Sequence, residues 1–121
     1  MDEEKIKRKL REFAKERDWE QFHTLKNLAI SINLESSELL EIFQWEKEDF
    51  TFKNNKVFKA RIKEEVADIL LYLIRFADLS KIDLEKVCLE KIELNKKKYP
   101  VNLSKGKSTK YTRLKKEYND E

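Results

Sequence analysis

The chain has 121 residues, of which 27 are basic and 24 acidic, for a formal net charge of +3. That length fits one domain, and a single glycine and a single proline argue against a sheet protein built on tight hairpins. Charged residues make up 42% of the sequence, yet several apolar stripes run through them, which excludes a disordered chain and reads as amphipathic helices.

The first helix is predicted over about Asp2 to Arg17, with Ile6, Leu10 and Phe13 forming one stripe at i, i+4 and i+7. Asp18-Trp19-Glu20-Gln21-Phe22-His23 follows as an ordered, aromatic-rich connection. Thr24 is a candidate N-cap for a second helix over about Leu25 to Glu46. Its inner stripe uses Leu25, Leu28, Ala29, Ile32, Leu39, Ile42 and Phe43. Glu48 to Asn55 is polar and connects to a third helix over about Lys56 to Ala77.

The stretch from Val66 to Ile74 of that third helix is apolar nearly all round, so it should be buried on most sides. A four-helix chain of this size cannot surround one of its own helices. The excess apolar surface therefore predicts a subunit interface. Asp83 is expected to cap a fourth helix running to about Lys98, with Leu84, Val87, Cys88 and Ile92 inward and Tyr99-Pro100 as the stop. Cys88, the single cysteine, reads as a small buried hydrophobe. Beyond Pro100 the periodicity fades, and residues 115–121 read as a charged tail after a domain at 1–114. No apolar run approaches the roughly 20 residues of a membrane span, so a soluble, cytoplasmic protein without membrane partners is expected.

Two acidic pairs carry the chemistry. Glu35 and Glu38 lie within about 60° of each other on a helix, and Glu65 and Asp68 repeat the spacing on the next helix. Glu41 continues the first pair, and Glu64 stands beside the second as a surface residue. Each pair adjoins apolar positions, Ile32 and Leu39 in one case and Val66 and Ile69 in the other. Like charges facing a core are costly unless a cation compensates. Two readings stand: solvated acidic faces, common in a chain with 24 acids, or one oxygen-lined site suited to magnesium or manganese.

Trp19, Phe22, His23, Trp45 and Tyr72 are either core residues or rings that stack on a nucleobase, with His23 as a hydrogen-bond donor. Trp45 lies ten residues after Glu35, about 15 Å along the axis, so one subunit alone does not obviously bring it to the acids. Lys91, Asn95, Lys96, Lys97, Lys98, Lys105 and Lys107 form either a solvated basic face or a phosphate-binding or nucleic-acid-binding surface. Asn95 and Tyr99 share a side at i, i+4 and are the more selective candidates.

Together these segments resemble a known family. Glu16 to His23 with its DWEQFH core, ESSELLEIFQW from Glu35 to Trp45, EVADILLY from Glu65 to Tyr72, KYPVNLS from Lys98 to Ser104, and Lys110-Tyr111-Thr112 are similar to the MazG-like all-α nucleotide pyrophosphohydrolases. Within that superfamily they look most like the dCTP pyrophosphatase branch. The resemblance spans roughly residues 8 to 114. It implies a four-helix subunit in a homotetramer, a dimer of dimers, with magnesium (or manganese) held by Glu35, Glu38, Glu65 and Asp68. It also implies a base and sugar pocket made by the DWEQFH segment (Trp19, Glu20, Gln21, Phe22, His23), Trp45 and Tyr72, completed partly across a subunit boundary; Lys91, Asn95 and Tyr99, from their charge and spacing, are candidates for further substrate contacts.

The chain departs from the pattern at Leu10, where relatives carry a polar, histidine-type residue, and at Ser36-Ser37, which replaces a Val-Gly type filling. The expected reaction is hydrolysis of a deoxynucleoside triphosphate, dCTP or a modified dCTP, to the monophosphate and pyrophosphate. Glu38 or Glu41 would position or deprotonate the attacking water. The alternatives are the same chemistry on dUTP or another noncanonical triphosphate, or a noncatalytic helical module binding nucleotide or nucleic acid. Nucleic acid is not expected as a partner of the enzyme.

Overall fold

The computed structural model describes residues 1–47 and 55–107. Among these residues every regular element is helical: α1 (Glu3–Glu16), a 3₁₀ turn (Glu20–Phe22), α2 (Leu25–Phe43), α3 (Lys56–Ser80), α4 (Leu84–Lys98) and α5 (Val101–Ser104). The predicted connection after Lys47, the Lys110-Tyr111-Thr112 stretch and the charged tail lie outside the described residues. The chain divides into two compact units, Met1–Ile82 and Asp83–Glu121.

In the first unit each helix start is written locally. Asp2 accepts a hydrogen bond from the Lys5 amide at 3.0 Å, and Glu3 and Glu4 in the first turn suit the positive end of the α1 dipole. Thr24 accepts from the Asn27 amide at 3.1 Å, as its position predicts, and Asn55 caps α3 through the Phe58 amide at 3.1 Å. Thr24→Ala should cost about 1 kcal/mol of stability, read as a lower urea midpoint at unchanged m-value; an unchanged midpoint would mean that the cap contributes nothing.

The helix ends are less obvious from sequence. Asp18 adopts φ +56° in the left-handed region, where glycine is the usual residue. The Trp19 amide then donates to the Ala14 carbonyl at 2.8 Å and the Asp18 amide to Lys15 at 3.1 Å. This is the pairing of a Schellman motif, and it fixes where Trp19 leaves the helix. Lys81, φ +61°, ends α3 in the same conformation, with the Ile82 amide donating to Ala77 at 2.9 Å. α3 thus runs one turn past the predicted Ala77. α2 stops at Phe43 rather than Glu46, which leaves Trp45 in a turn.

α3 packs against both α2 and α1. Ala14, Leu28, Ile42, Ile74 and Ala77 form the core between them. Within the single chain the Val66–Ile74 stretch is only partly buried, which leaves uncovered the excess apolar surface that the sequence expects at a subunit interface. Ile74 is fully buried, but Val66, Leu70, Leu71 and Leu73 remain exposed, because two partner helices cover only part of a third helix's circumference. Ile30, Leu34, Leu40 and Val57 add to this uncovered apolar surface along α2 and α3.

In the second unit Asp83 caps α4 through the Lys86 amide at 3.1 Å, and Tyr99 closes it, as predicted. The inward stripe expected on α4 is not buried: Cys88, Val87 and Ile92 are all exposed. After Pro100 the chain forms the single turn of α5, with the Ser104 amide donating to the Pro100 carbonyl at 2.9 Å, where periodicity alone offered no helix. No helix among the described residues is long and apolar enough to cross a membrane.

Candidate active site

One cavity of about 670 Å³ opens in the first unit between α1, the 3₁₀ turn and α3. From α1 it receives the predicted stripe Ile6, Leu10 and Phe13, joined by Lys9. From the turn it receives Trp19 and His23, and from α2 Glu35. α3 contributes Asp68, Leu71, Tyr72 and Arg75, which at i, i+3, i+4 and i+7 share one helix face. The cavity is therefore apolar and aromatic over most of its wall and acidic at one end.

At that end carboxylate oxygens of Glu35, Glu38 and Glu65 lie within 4.8 Å of one another. Asp68 stands close enough for its charge to act on both Glu35 and Glu65. Burial, followed by the close approach of Glu38 and Glu65 and the charges of Glu38 and Asp68, pushes the Glu35 carboxyl up to about 7. Burial also raises Glu65, with the charges of Glu38 and Asp68 adding to it. One oxygen of Glu35 and one of Glu65 are buried with no hydrogen-bond partner among the described residues, an arrangement that costs free energy unless something fills the gap. A hard divalent cation would satisfy these oxygens and neutralise the repulsion together, and a donor set made only of carboxylates suits magnesium or manganese.

Not all of the remaining predicted residues reach the cavity. Trp19 and Tyr72 line the cavity, with Trp19 edge-on to Phe13 at 5.6 Å between centroids and edge-on to His23 at 6.5 Å. Glu20, Gln21 and Phe22 do not line it. Gln21 donates to the Asp18 carbonyl at 3.0 Å, the Glu20 carbonyl accepts from the His23 amide at 3.2 Å, and the Phe22 carbonyl accepts from Asn27 at 3.0 Å while its ring stays exposed. These three shape the turn that presents Trp19 and His23. Glu41 and Glu64 are exposed and lie outside the three-carboxylate cluster. Trp45, 87% exposed, does not line the cavity. Lys91, Asn95 and Tyr99 belong to the second unit, on and just after α4, with the Tyr99 amide donating to the Asn95 carbonyl at 2.8 Å.

Arg75, Asp78 and Arg11 escaped the sequence reading. Arg75 is 6% exposed, donates from Nε to His23 Nδ1 at 3.2 Å and lies 3.6 Å from Asp78. Arg11 of α1 donates from Nε to the same Asp78 carboxylate at 2.7 Å, and Arg11, then Arg75, hold that carboxyl below its ordinary range. The signal was present: Arg75 is a charged residue seven positions after Asp68 inside an apolar run, on the face that carries Asp68 and Tyr72.

Known proteins resemble this chain in sequence and in fold. The sequence profile of the MazG-like family matches residues 30–114. dCTP pyrophosphatase 1 of Bos taurus is 42% identical over 113 residues, covering 92% of this chain and 67% of that protein. The Homo sapiens protein of the same name is 39% identical over 113 residues, covering 92% and 66%. The match thus spans about two thirds of the relatives' own length. The crystal structure of a pyrophosphatase from Archaeoglobus fulgidus superimposes with a TM-score of 0.74 at 43% identity, covering 80% of this chain and 91% of that one.

Proposed function

The chain belongs to the MazG-like family and is a nucleoside triphosphate pyrophosphohydrolase; on that premise we propose that it hydrolyses dCTP or a modified dCTP to the monophosphate and pyrophosphate with magnesium, clearing the cytoplasmic nucleotide pool. The observation that carries this reading is the convergence of Glu35, Glu38 and Glu65 at one end of a cavity otherwise walled by Phe13, Trp19, Leu71 and Tyr72. Metal-bound phosphates and a flat base need opposite surroundings, and Glu35 lines the same cavity as the aromatic rings.

Glu35, Glu38, Glu65 and Asp68 would hold the magnesium ion, which would supply positive charge to offset that of the phosphates. The oxygen of a water molecule bonds to the α-phosphorus, the bridging bond to the β-phosphate breaks, and pyrophosphate leaves. Glu38 is the exposed member of the cluster, so it is placed to orient that water and take its proton, and it is preferred over Glu41. Trp19 and Tyr72 offer ring faces and edges to the base, and His23 offers a hydrogen bond.

The subunit acts as a homotetramer in this reading. Support comes from the exposed Leu34, Leu40, Val66, Leu70 and Leu73 on α2 and α3, apolar side chains that a partner subunit would cover. Trp45 would reach a nucleotide across such a boundary. Light scattering on the purified protein should give four times the subunit mass; a monomer would overturn this part.

Phosphate release in the presence of added inorganic pyrophosphatase, over a panel of dNTPs with magnesium, tests the substrate. dCTP or a modified dCTP should be turned over fastest. Preference for dUTP or another noncanonical triphosphate would keep the chemistry and change the base. No turnover of any triphosphate would overturn the function.

A further inference from the structure

We propose that Arg75 is a positioning residue that fixes His23 as its Nε2–H tautomer, so that the imidazole meets the cavity's ligand as a hydrogen-bond donor. The argument begins with donor chemistry. A guanidinium carries only N–H groups and accepts nothing, and it stays protonated at every accessible pH. Arg75 Nε lies 3.2 Å from His23 Nδ1 with its N–H directed at it. Nδ1 is therefore the acceptor, and in a neutral imidazole the proton then resides on Nε2. An imidazolium, or the opposite tautomer, would set one N–H against another.

Arg75 is itself held. It is buried, and Asp78 one helical turn further along α3 balances its charge at 3.6 Å. Arg11 Nε anchors that carboxylate from α1 at 2.7 Å. His23 closes the 3₁₀ turn and directly precedes the Thr24 cap of α2, so its backbone is constrained on both sides. The ring stands edge-on to Trp19, and both line the cavity. Burial, then the charge of Arg75, lowers the His23 pKa, in keeping with a neutral ring.

The consequence concerns the ligand. A site that offers an N–H at this position reads an acceptor, such as a carbonyl oxygen, ring nitrogen or sugar oxygen, and not an amino group. This deepens the nucleotide reading and rests on it for the identity of the ligand, but the tautomer is testable without any ligand.

His23 is the chain's one histidine, so protein labelled with ¹⁵N-histidine gives the resonances of one imidazole in a long-range ¹H–¹⁵N correlation spectrum. The full-length wild type should show a protonated Nε2 and an unprotonated Nδ1. The reverse assignment, or averaged nitrogen shifts, would overturn the proposal. Arg75→Gln places an uncharged N–H where Nε stood and should keep the wild-type pattern. Arg75→Met places a methyl group there and should give averaged shifts; a wild-type spectrum from it would overturn the proposal. In turnover, Arg75→Met should raise KM about tenfold, by more than it lowers kcat, and Arg75→Gln should restore most of the loss. Equal KM values in the two variants would count against the positioning role. If Arg75→Met does not fold, the wild-type and Arg75→Gln spectra still decide the tautomer. If no triphosphate is turned over, the functional reading fails while the spectra stand.

Discussion

Glu35→Gln should lower kcat/KM for the preferred deoxynucleoside triphosphate by about 100-fold or more, measured by pyrophosphate release at saturating magnesium. Glu35 is the carboxylate that both joins the three-residue cluster and lines the cavity. In the proposed site it would therefore link the metal to the nucleotide. Residues that only support a metal ligand already contribute about 10- to 100-fold, so loss of a ligand that also touches the substrate site should exceed that. Glutamine keeps the size and one oxygen but removes the charge that a hard cation needs. Asp68→Asn, on the facing helix, should show a loss in the same direction. Turnover within about threefold of wild type in both variants would sink the proposed site while leaving the activity intact. Glu41→Gln supplies the contrast: Glu41 is exposed and outside the cluster, so this change should leave kcat/KM within about threefold.

The same substitution should have the opposite effect on stability when metal is withheld. The Glu35 carboxyl, at about 7 against an ordinary 4.5, binds its proton more tightly in the folded chain than in the unfolded one. Stability is then lost as pH rises between about 4.5 and 7, the window in which the unfolded chain has already released that proton. Glu65 shifts in the same direction. His23 acts in the opposite sense, because its lowered pKa means that stability is lost as pH falls below 6.5. The wild-type curve alone therefore mixes two slopes.

The difference between Glu35→Gln and wild type cancels the histidine and isolates the carboxylates. In chelator-treated protein the Tm of Glu35→Gln should exceed that of wild type by a margin that grows from pH 5 to pH 8. Saturating magnesium should reverse the order, since a ligand at about 100 times its Kd adds about 2.7 kcal/mol to the form that binds it, and the variant no longer binds well. A difference that stays flat with pH would mean that Glu35 does not carry a raised pKa. A wild-type Tm indifferent to magnesium would mean that the cluster is not a metal site.

Capping and periodicity are local properties, and they were legible in the sequence. Thr24 and Asp83 were readable as N-caps because each sits just before an apolar stripe, and a side-chain oxygen there has only backbone amides of its own first turn to satisfy. The stripe Ile6, Leu10 and Phe13 was readable for the same reason, although its destination, a cavity wall, was not. The C-terminal ends of α1 and α4 fall where the sequence places them to within a residue, whereas α2 is three residues shorter and α3 three residues longer than expected. Asp18 and Lys81 end their helices in a conformation that the sequence usually announces with glycine. Burial of the α4 stripe was not legible, because a stripe's hydrophobicity says that it seeks cover but not how much its own chain provides.

The sequence by itself determined that the chain is helical, that two acidic i, i+3 pairs sit beside apolar stripes on successive long helices, and that DWEQFH, FQW and KYPV accompany them. Those features follow from spacing along single helices, where about 100° per residue decides who shares a face. Only the tertiary structure decided which acids meet: Glu35, Glu38 and Glu65 converge, while Glu41 and Glu64 point elsewhere as exposed residues. It also decided that Arg75, an unremarked charge in an apolar run, reaches 52 residues back in sequence to His23. Convergence depends on how two helices rotate against each other when their buried residues, Leu28, Ile42, Ile74 and Ala77, pack. That rotation is set by the joint packing of both helices, which no single stretch of sequence contains.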